Sequence, residues 1–253
     1  MESGLHIILA QPYITEVAGF PITPTLVTSW LTVAVLLITA FFVGRSLKLK
    51  PGKIQVVFEG LIKGVYDYVR EVLESDTSAK RFFPLVMTIF LFILMGNWLG
   101  LTPIMEAIGF ETIGEHGEHG WLPLLYPQNA DLNIPLALAI ISFLTIEISG
   151  ILYLGILTYG SKFVNIRSPM DFFVGLLEII GNLARLVSLS FRLFGNILAG
   201  HILIIVVLFF VPYLLPLPFM AFELFVGFMQ AAIFALLTLI FIKIAIEEPH
   251  EQH

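Results

Sequence analysis

Five stretches of this chain are apolar almost without interruption: residues 27–44, 82–105, 132–160, 170–211 and 213–246. Each approaches or exceeds the roughly 20 residues that a helix needs to cross a hydrocarbon layer about 30 Å thick. Residues 54–73 carry a different pattern. There Ile54, Val57, Phe58, Leu61, Ile62, Val65, Val69, Val72 and Leu73 recur at helical spacing, while Gln55, Glu59, Lys63, Asp67 and Glu71 take the opposite face. That helix is too charged to span. Two placements suit it: flat in the inner membrane interface, or packed on the soluble part of another subunit. The expected fold is an all-α integral membrane protein with five spanning helices, forming a single membrane domain over 1–253. It has an N-terminal segment 1–26, an amphipathic interfacial helix 54–73, a loop 106–131 and a tail 247–253.

The last two spans are too long to stand upright. At about 1.5 Å per residue they measure about 63 Å and about 51 Å. Both must tilt steeply or kink, as a slanted hairpin around Pro212 and Pro216. Such a pair suits a curved surface running across the bilayer better than an ordinary bundle. In the second span, Gly96-Asn97-Trp98-Leu99-Gly100 has the spacing of small residues that permits close helix contact.

Composition strengthens the membrane reading. The chain is 58% hydrophobic and 13% charged, against about 25% charged in soluble domains. The placement of charge then orients it. Arg45, Lys48, Lys50, Lys53, Lys63, Arg70, Lys80 and Arg81 lie between the first two spans, Lys162 and Arg167 between the third and fourth, and Lys243 at the end of the fifth. Residues 1–44, 82–161 and 202–242 hold no Lys or Arg. The positive-inside rule therefore places the N-terminus outside and the C-terminus inside. Because Arg45 is the first basic residue, no ordinary cleavable signal peptide is expected. With no cysteine, disulfides and thiolate metal sites are excluded.

Two cations remain, Arg185 and Arg192, both inside the fourth span. A guanidinium keeps its proton there, at a cost of roughly 3 kcal/mol on insertion scales and about 10–17 kcal/mol in simulations of an isolated helix. Glu178, Arg185 and Arg192 are spaced by seven residues, nearly two turns, and share a face. Gly181, Asn182, Ser188, Gly195, Asn196, Ala199 and Gly200 lie on or beside it. A tight internal helix contact would explain the glycines but leave the cations unmatched. A partner chain that brings carboxylates to this face explains more.

Hairpin register supplies further candidates. With the turn near residues 211–212, Arg192 lies level with Gln230, His201 with Glu223, and Glu178 with Lys243. A His–Glu pair can relay a proton, or can simply be a structural hydrogen bond. Glu147, in the third span, is open to two readings as well: a functional carboxylate, or a neutral acid bonded to a neighbouring helix. The loop bears Glu106, Glu111, Glu115, Glu118 and Asp131. Its run Glu115-His116-Gly117-Glu118-His119 has metal-ligand residue types, but nothing nearby completes a coordination shell. No metal or cofactor is expected.

The segment Ser188-Leu189-Ser190-Phe191-Arg192-Leu193-Phe194-Gly195-Asn196-Ile197-Leu198-Ala199-Gly200-His201 closely resembles the signature of subunit a of F-type ATP synthases. Gln230-Ala231-Ala232-Ile233-Phe234-Ala235-Leu236-Leu237-Thr238 is a second match. Gly96 to Pro103 and Asp131-Leu132-Asn133 are weaker ones. The resemblance implies a non-catalytic membrane stator beside a ring of small hairpin subunits (c), with peripheral stalk subunits (b) and the rest of the ATP synthase as partners. Arg192 matches the family's essential arginine, facing ring carboxylates between two offset half-channels. Glu178 matches an acidic position of the inner half-channel, and Asn196, His201, Glu223 and Gln230 match positions on or beside the outer path. Arg185, Ser188, Glu147 and Asp131 are possible supporting residues. Two departures stand out: many bacterial members have the acid and the imidazole of the His201–Glu223 pair exchanged, and a Lys-Pro commonly stands where this chain has Arg185-Leu186. The resemblance implies a bacterial plasma membrane, with a thylakoid as alternative. A self-contained secondary transporter is disfavoured by the lack of an internal repeat. An intramembrane enzyme is disfavoured because no GxSxG, paired-Asp or HExxH motif is present.

Overall fold

The computed structural model describes residues 13–17, 19–45, 52–105, 107–113, 119–163, 169–211 and 214–247. Among them, five helices are long and apolar enough to cross a membrane. The chain is a multi-pass integral membrane protein.

The first spanning helix, α1 (Pro24–Arg45), opens with proline at its first position, where a missing N–H costs nothing. The Thr23 hydroxyl caps it by accepting the Leu26 N–H at 3.3 Å. The amphipathic helix α2 (Lys53–Leu73) stops at Glu74, which adopts a left-handed conformation with φ 51°. Next comes α3 (Asp76–Gly100). The apolar run predicts a span over 82–105, so both ends differ. The start moves back because Ser75 accepts the Ser78 N–H at 3.3 Å and Asp76 pairs with Lys80, one turn on, at 2.7 Å. The end moves back because Leu101 and Thr102 donate to Trp98 and Leu99 in tight three-residue turns just ahead of Pro103.

The third apolar run, 132–160, is not one helix. Gly155 takes φ 82° and divides it into α4 (Asn133–Leu154) and a short α5 (Ile156–Phe163). The final pair is α6 (Pro169–Phe210), of 42 residues, and α7 (Pro216–Ile246), of 31. Their lengths, about 63 Å and about 46 Å, exceed the bilayer core as expected. Residues 212–213 of the predicted turn lie outside the described residues.

The helical expectation holds, with short strands added to it. Two antiparallel hairpins are present, β1 (Thr15–Val17) with β2 (Phe20–Ile22), and β3 (Gly109–Ile113) with β4 (His119–Pro123). Both lie outside the spanning segments, where β-branched and aromatic residues close to a turn favour pairing over helix.

By contacts the chain forms two compact units. One comprises Met1–Arg45, Leu91–Pro135 and Leu193–Ala231, the other Ser46–Phe90, Leu136–Arg192 and Ala232–His253. In the first unit a buried hydroxyl face of α1 seats the loop that follows β4. Thr25 donates to Asp131 Oδ2 at 2.9 Å, Thr28 accepts the Tyr126 N–H at 3.1 Å, and Thr32 meets Gln128 Oε1 at 2.9 Å. In the second unit Ala139, Leu189, Leu239 and Ile242 are buried, and Thr238 donates to the Ser142 hydroxyl at 3.3 Å. Large apolar side chains such as Phe41, Phe42, Phe172, Phe173 and Leu177 are exposed. In a soluble protein such exposure would need an explanation in each unit; here it suits a lipid-covered surface.

Candidate functional site

In the first unit, α6 contributes His201 and α7 contributes Glu223 to one cavity of about 20 Å³, also lined by Asn97 and Asn129. That volume accommodates a single water molecule. Glu223 is 6% exposed, and among the described residues its Oε1 has no hydrogen-bond partner. The carboxyl lies directly over Gly200, in space that a Cβ at that position would occupy. His201 acts electrostatically on Glu223, and its ring packs edge-on against Tyr126 at 5.2 Å. Register along the hairpin anticipated this pairing.

An amide network backs the cavity. Asn129 Nδ2 donates to Asn97 Oδ1 at 2.8 Å, and Asn97 Nδ2 donates to the Gly227 carbonyl at 2.9 Å. Gly227 is needed there, since a Cβ would come 2.9 Å from that of Asn97. Asn129 Oδ1 and Gln128 Nε2 are buried without a partner among the described residues. Asn196, exposed on α6, and Gln230, half-buried on α7, do not line this cavity. Asp131 works locally, accepting from Thr25 and from the Asn133 N–H at 3.0 Å.

The second unit holds the cations. Arg192 is exposed, and among the described residues it has no carboxylate partner; its guanidinium reaches the Ser188 hydroxyl at 3.4 Å. Arg185 is half-buried and engaged. Its Nη1 donates to Asn182 Oδ1 at 2.8 Å, and its guanidinium lies 5.0 Å from the Phe241 ring centroid. Asn182 Nδ2 donates to Glu147 Oε1 at 3.2 Å, and the Tyr159 hydroxyl donates to Glu147 Oε2 at 3.0 Å. A cavity of about 10 Å³ adjoins Glu147, Asn182 and Arg185. The Tyr159 ring sits where a Cβ on Gly150 would project, so the missing side chain lets α5 fold back onto α4. Glu178, half-buried, acts electrostatically on Tyr159 in opposition to Arg185. Lys243, level with Glu178 by hairpin register, instead binds Glu74 at 2.7 Å and holds that exposed carboxyl below its ordinary titration range.

Sequence reasoning did not find the partnership of Asn97 with Asn129, nor Tyr159. For Asn97 a signal existed: an amide inside an apolar span must be hydrogen-bonded, or its burial is costly. For Tyr159 there was none, because its position depends on the turn at Gly155. Residues 115–118 of the acidic His-containing run lie outside the described residues.

The family model for the ATP synthase A chain matches residues 26–243. The ATP synthase subunit a of Geotalea daltonii is 37% identical over 226 residues, covering 88% of this chain and 87% of the relative. ATP synthase subunit a 3 of Pelobacter propionicus is 35% identical over 250 residues, covering 97% and 96%. ATP synthase subunit a of Geobacter sulfurreducens is 36% identical over 226 residues, covering 88% and 87%.

Proposed function

The chain belongs to the ATP synthase A chain family, and we propose that it is the membrane stator that couples ion flow to rotation of a neighbouring ring. The N-terminus faces outside, as the placement of basic residues argues. A proton enters from that side by His201 and Glu223, with Asn196 and Gln230 beside the path, and neutralises a ring carboxylate. The neutral acid passes through lipid, which an ionised one could not do cheaply. After nearly a full turn it releases its proton near Glu178 to the inside.

Arg192 separates the two paths. Its fixed charge keeps the facing ring carboxylate ionised and blocks a direct proton hop. Each proton moving down 100 mV delivers roughly 2.3 kcal/mol, which rotation carries to the ATP-making head. The partners are the ring, the peripheral stalk and the rest of the synthase, in a bacterial plasma membrane.

One observation carries this reading. A permanent cation stands exposed on an apolar helix, and among the described residues no carboxylate answers it. A second chain that supplies the acid would match the charge. Arg192→Ala tests it in membrane vesicles that contain the complete complex. ATP synthesis and ATP-driven proton pumping should both be abolished; pumping at the parent rate would overturn the assignment.

A further inference from the structure

We infer that Glu147 is a positioning residue that neutralises Arg185 through the Asn182 amide, leaving Arg192 as the fixed cation that ring carboxylates meet. This rests on the stator function proposed above. Arg185 and Arg192 stand seven residues apart on α6, nearly two turns and about 10 Å along the axis, on one face. Two bare cations there would each hold a passing carboxylate in its ionised form. An acid still ionised after Arg192 would then be trapped at Arg185, because it could not re-enter lipid without a large penalty.

The geometry removes that trap. Arg185 is turned onto its own chain, bonded to Asn182 Oδ1 at 2.8 Å and stacked over Phe241 of α7. Asn182 then presents its other end, Nδ2, to Glu147 Oε1 at 3.2 Å. A single planar amide thus accepts from the guanidinium and donates to the carboxylate, so its dipole is aligned with both charges. The second carboxyl oxygen is occupied by the Tyr159 hydroxyl at 3.0 Å. Each oxygen of Glu147 is an acceptor, the arrangement an ionised carboxylate needs. Arg192 has no counterpart to this clamp among the described residues, and its guanidinium is exposed while that of Arg185 is half-buried.

The test uses the complete complex reconstituted in proteoliposomes. Glu147→Gln removes the negative charge and frees Arg185; proton-driven ATP synthesis and ATP-driven pumping should fall about tenfold, within the range of coupled charge pairs. Glu147→Gln/Arg185→Gln removes both charges and should recover at least about half of the parent rate. A merely structural role for Glu147 predicts no recovery. Subunit content of the purified complex and ATP hydrolysis by the head separate lost assembly from lost conduction. Parent-like pumping by Glu147→Gln, or a double variant no better than the single, overturns the inference. If Glu147→Gln does not assemble, the double variant decides alone: assembly with pumping supports the pair, and failure refutes it. An inactive Arg192→Ala beside an unaffected Glu147→Gln would refute this inference and leave the stator function standing.

Discussion

The two units handle intramembrane polarity in opposite ways. In one, Glu223 and His201 share a water-sized cavity, and a buried carboxyl oxygen has no hydrogen-bond partner among the described residues. In the other, both oxygens of Glu147 are filled by Tyr159 and Asn182, and Asn182 also engages Arg185. An acid with an unpartnered oxygen beside a water-sized cavity can exchange a proton; an acid whose two oxygens both accept hydrogen bonds holds its neighbours in place. What separates them, among the described residues, is whether each carboxyl oxygen has a donor.

That contrast predicts a ranking of effects. The largest is at Glu223→Gln, where proton-driven ATP synthesis should drop about a hundredfold, the lower end of what a positioned proton-transfer group supplies. Removing both members should then separate the units. His201→Gln/Glu223→Gln should be no better than Glu223→Gln alone, whereas the Glu147–Arg185 double variant should recover; rescue in both places would erase the distinction. Next in size is the exchange His201→Glu/Glu223→His, which should retain activity within about tenfold of the parent if the pair acts as a unit. Losses that simply add would show that the two side chains act independently.

The smallest effect is expected at Glu74→Gln, which breaks an ion pair on an exposed carboxyl. Lys243 lowers the Glu74 titration from its ordinary value of 4.5. The pair therefore contributes fully above that value, and its contribution disappears as pH falls through the lowered one. Thermal melting of the purified complex should show a small deficit for the variant at neutral pH and none in strong acid. A deficit independent of pH would assign Glu74 a role other than ion pairing, such as its left-handed backbone at the α2 terminus.

The five spans, the two cations of the fourth span and the proximity of His201 to Glu223 were legible because each rests on a strong one-dimensional signal. Long apolar runs announce spanning helices, and a charge within one cannot be accidental at several kcal/mol. Arithmetic along the final hairpin then sufficed to bring His201 and Glu223 together. Helix ends were less legible. The sequence places Lys80 and Arg81 between the first two spans, yet capping by Ser75 and the Asp76–Lys80 pair one turn apart extend α3 over them. The break at Gly155 was hidden in unbroken hydrophobicity, and with it the return of Tyr159 to Glu147. Buried amides such as Asn97 and Asn129 identify themselves as unusual in sequence, but not each other as partners. Choosing between partners requires depth and rotation of three segments at once, which no periodicity encodes.

Position 200 has a consequence of its own. Glycine there leaves a notch the width of one methyl group, and the carboxyl of Glu223 fills it. Adding that methyl would change no charge and delete no donor, yet it would evict the acid from its niche. A residue with no titratable group therefore governs where the neighbouring carboxyl can sit.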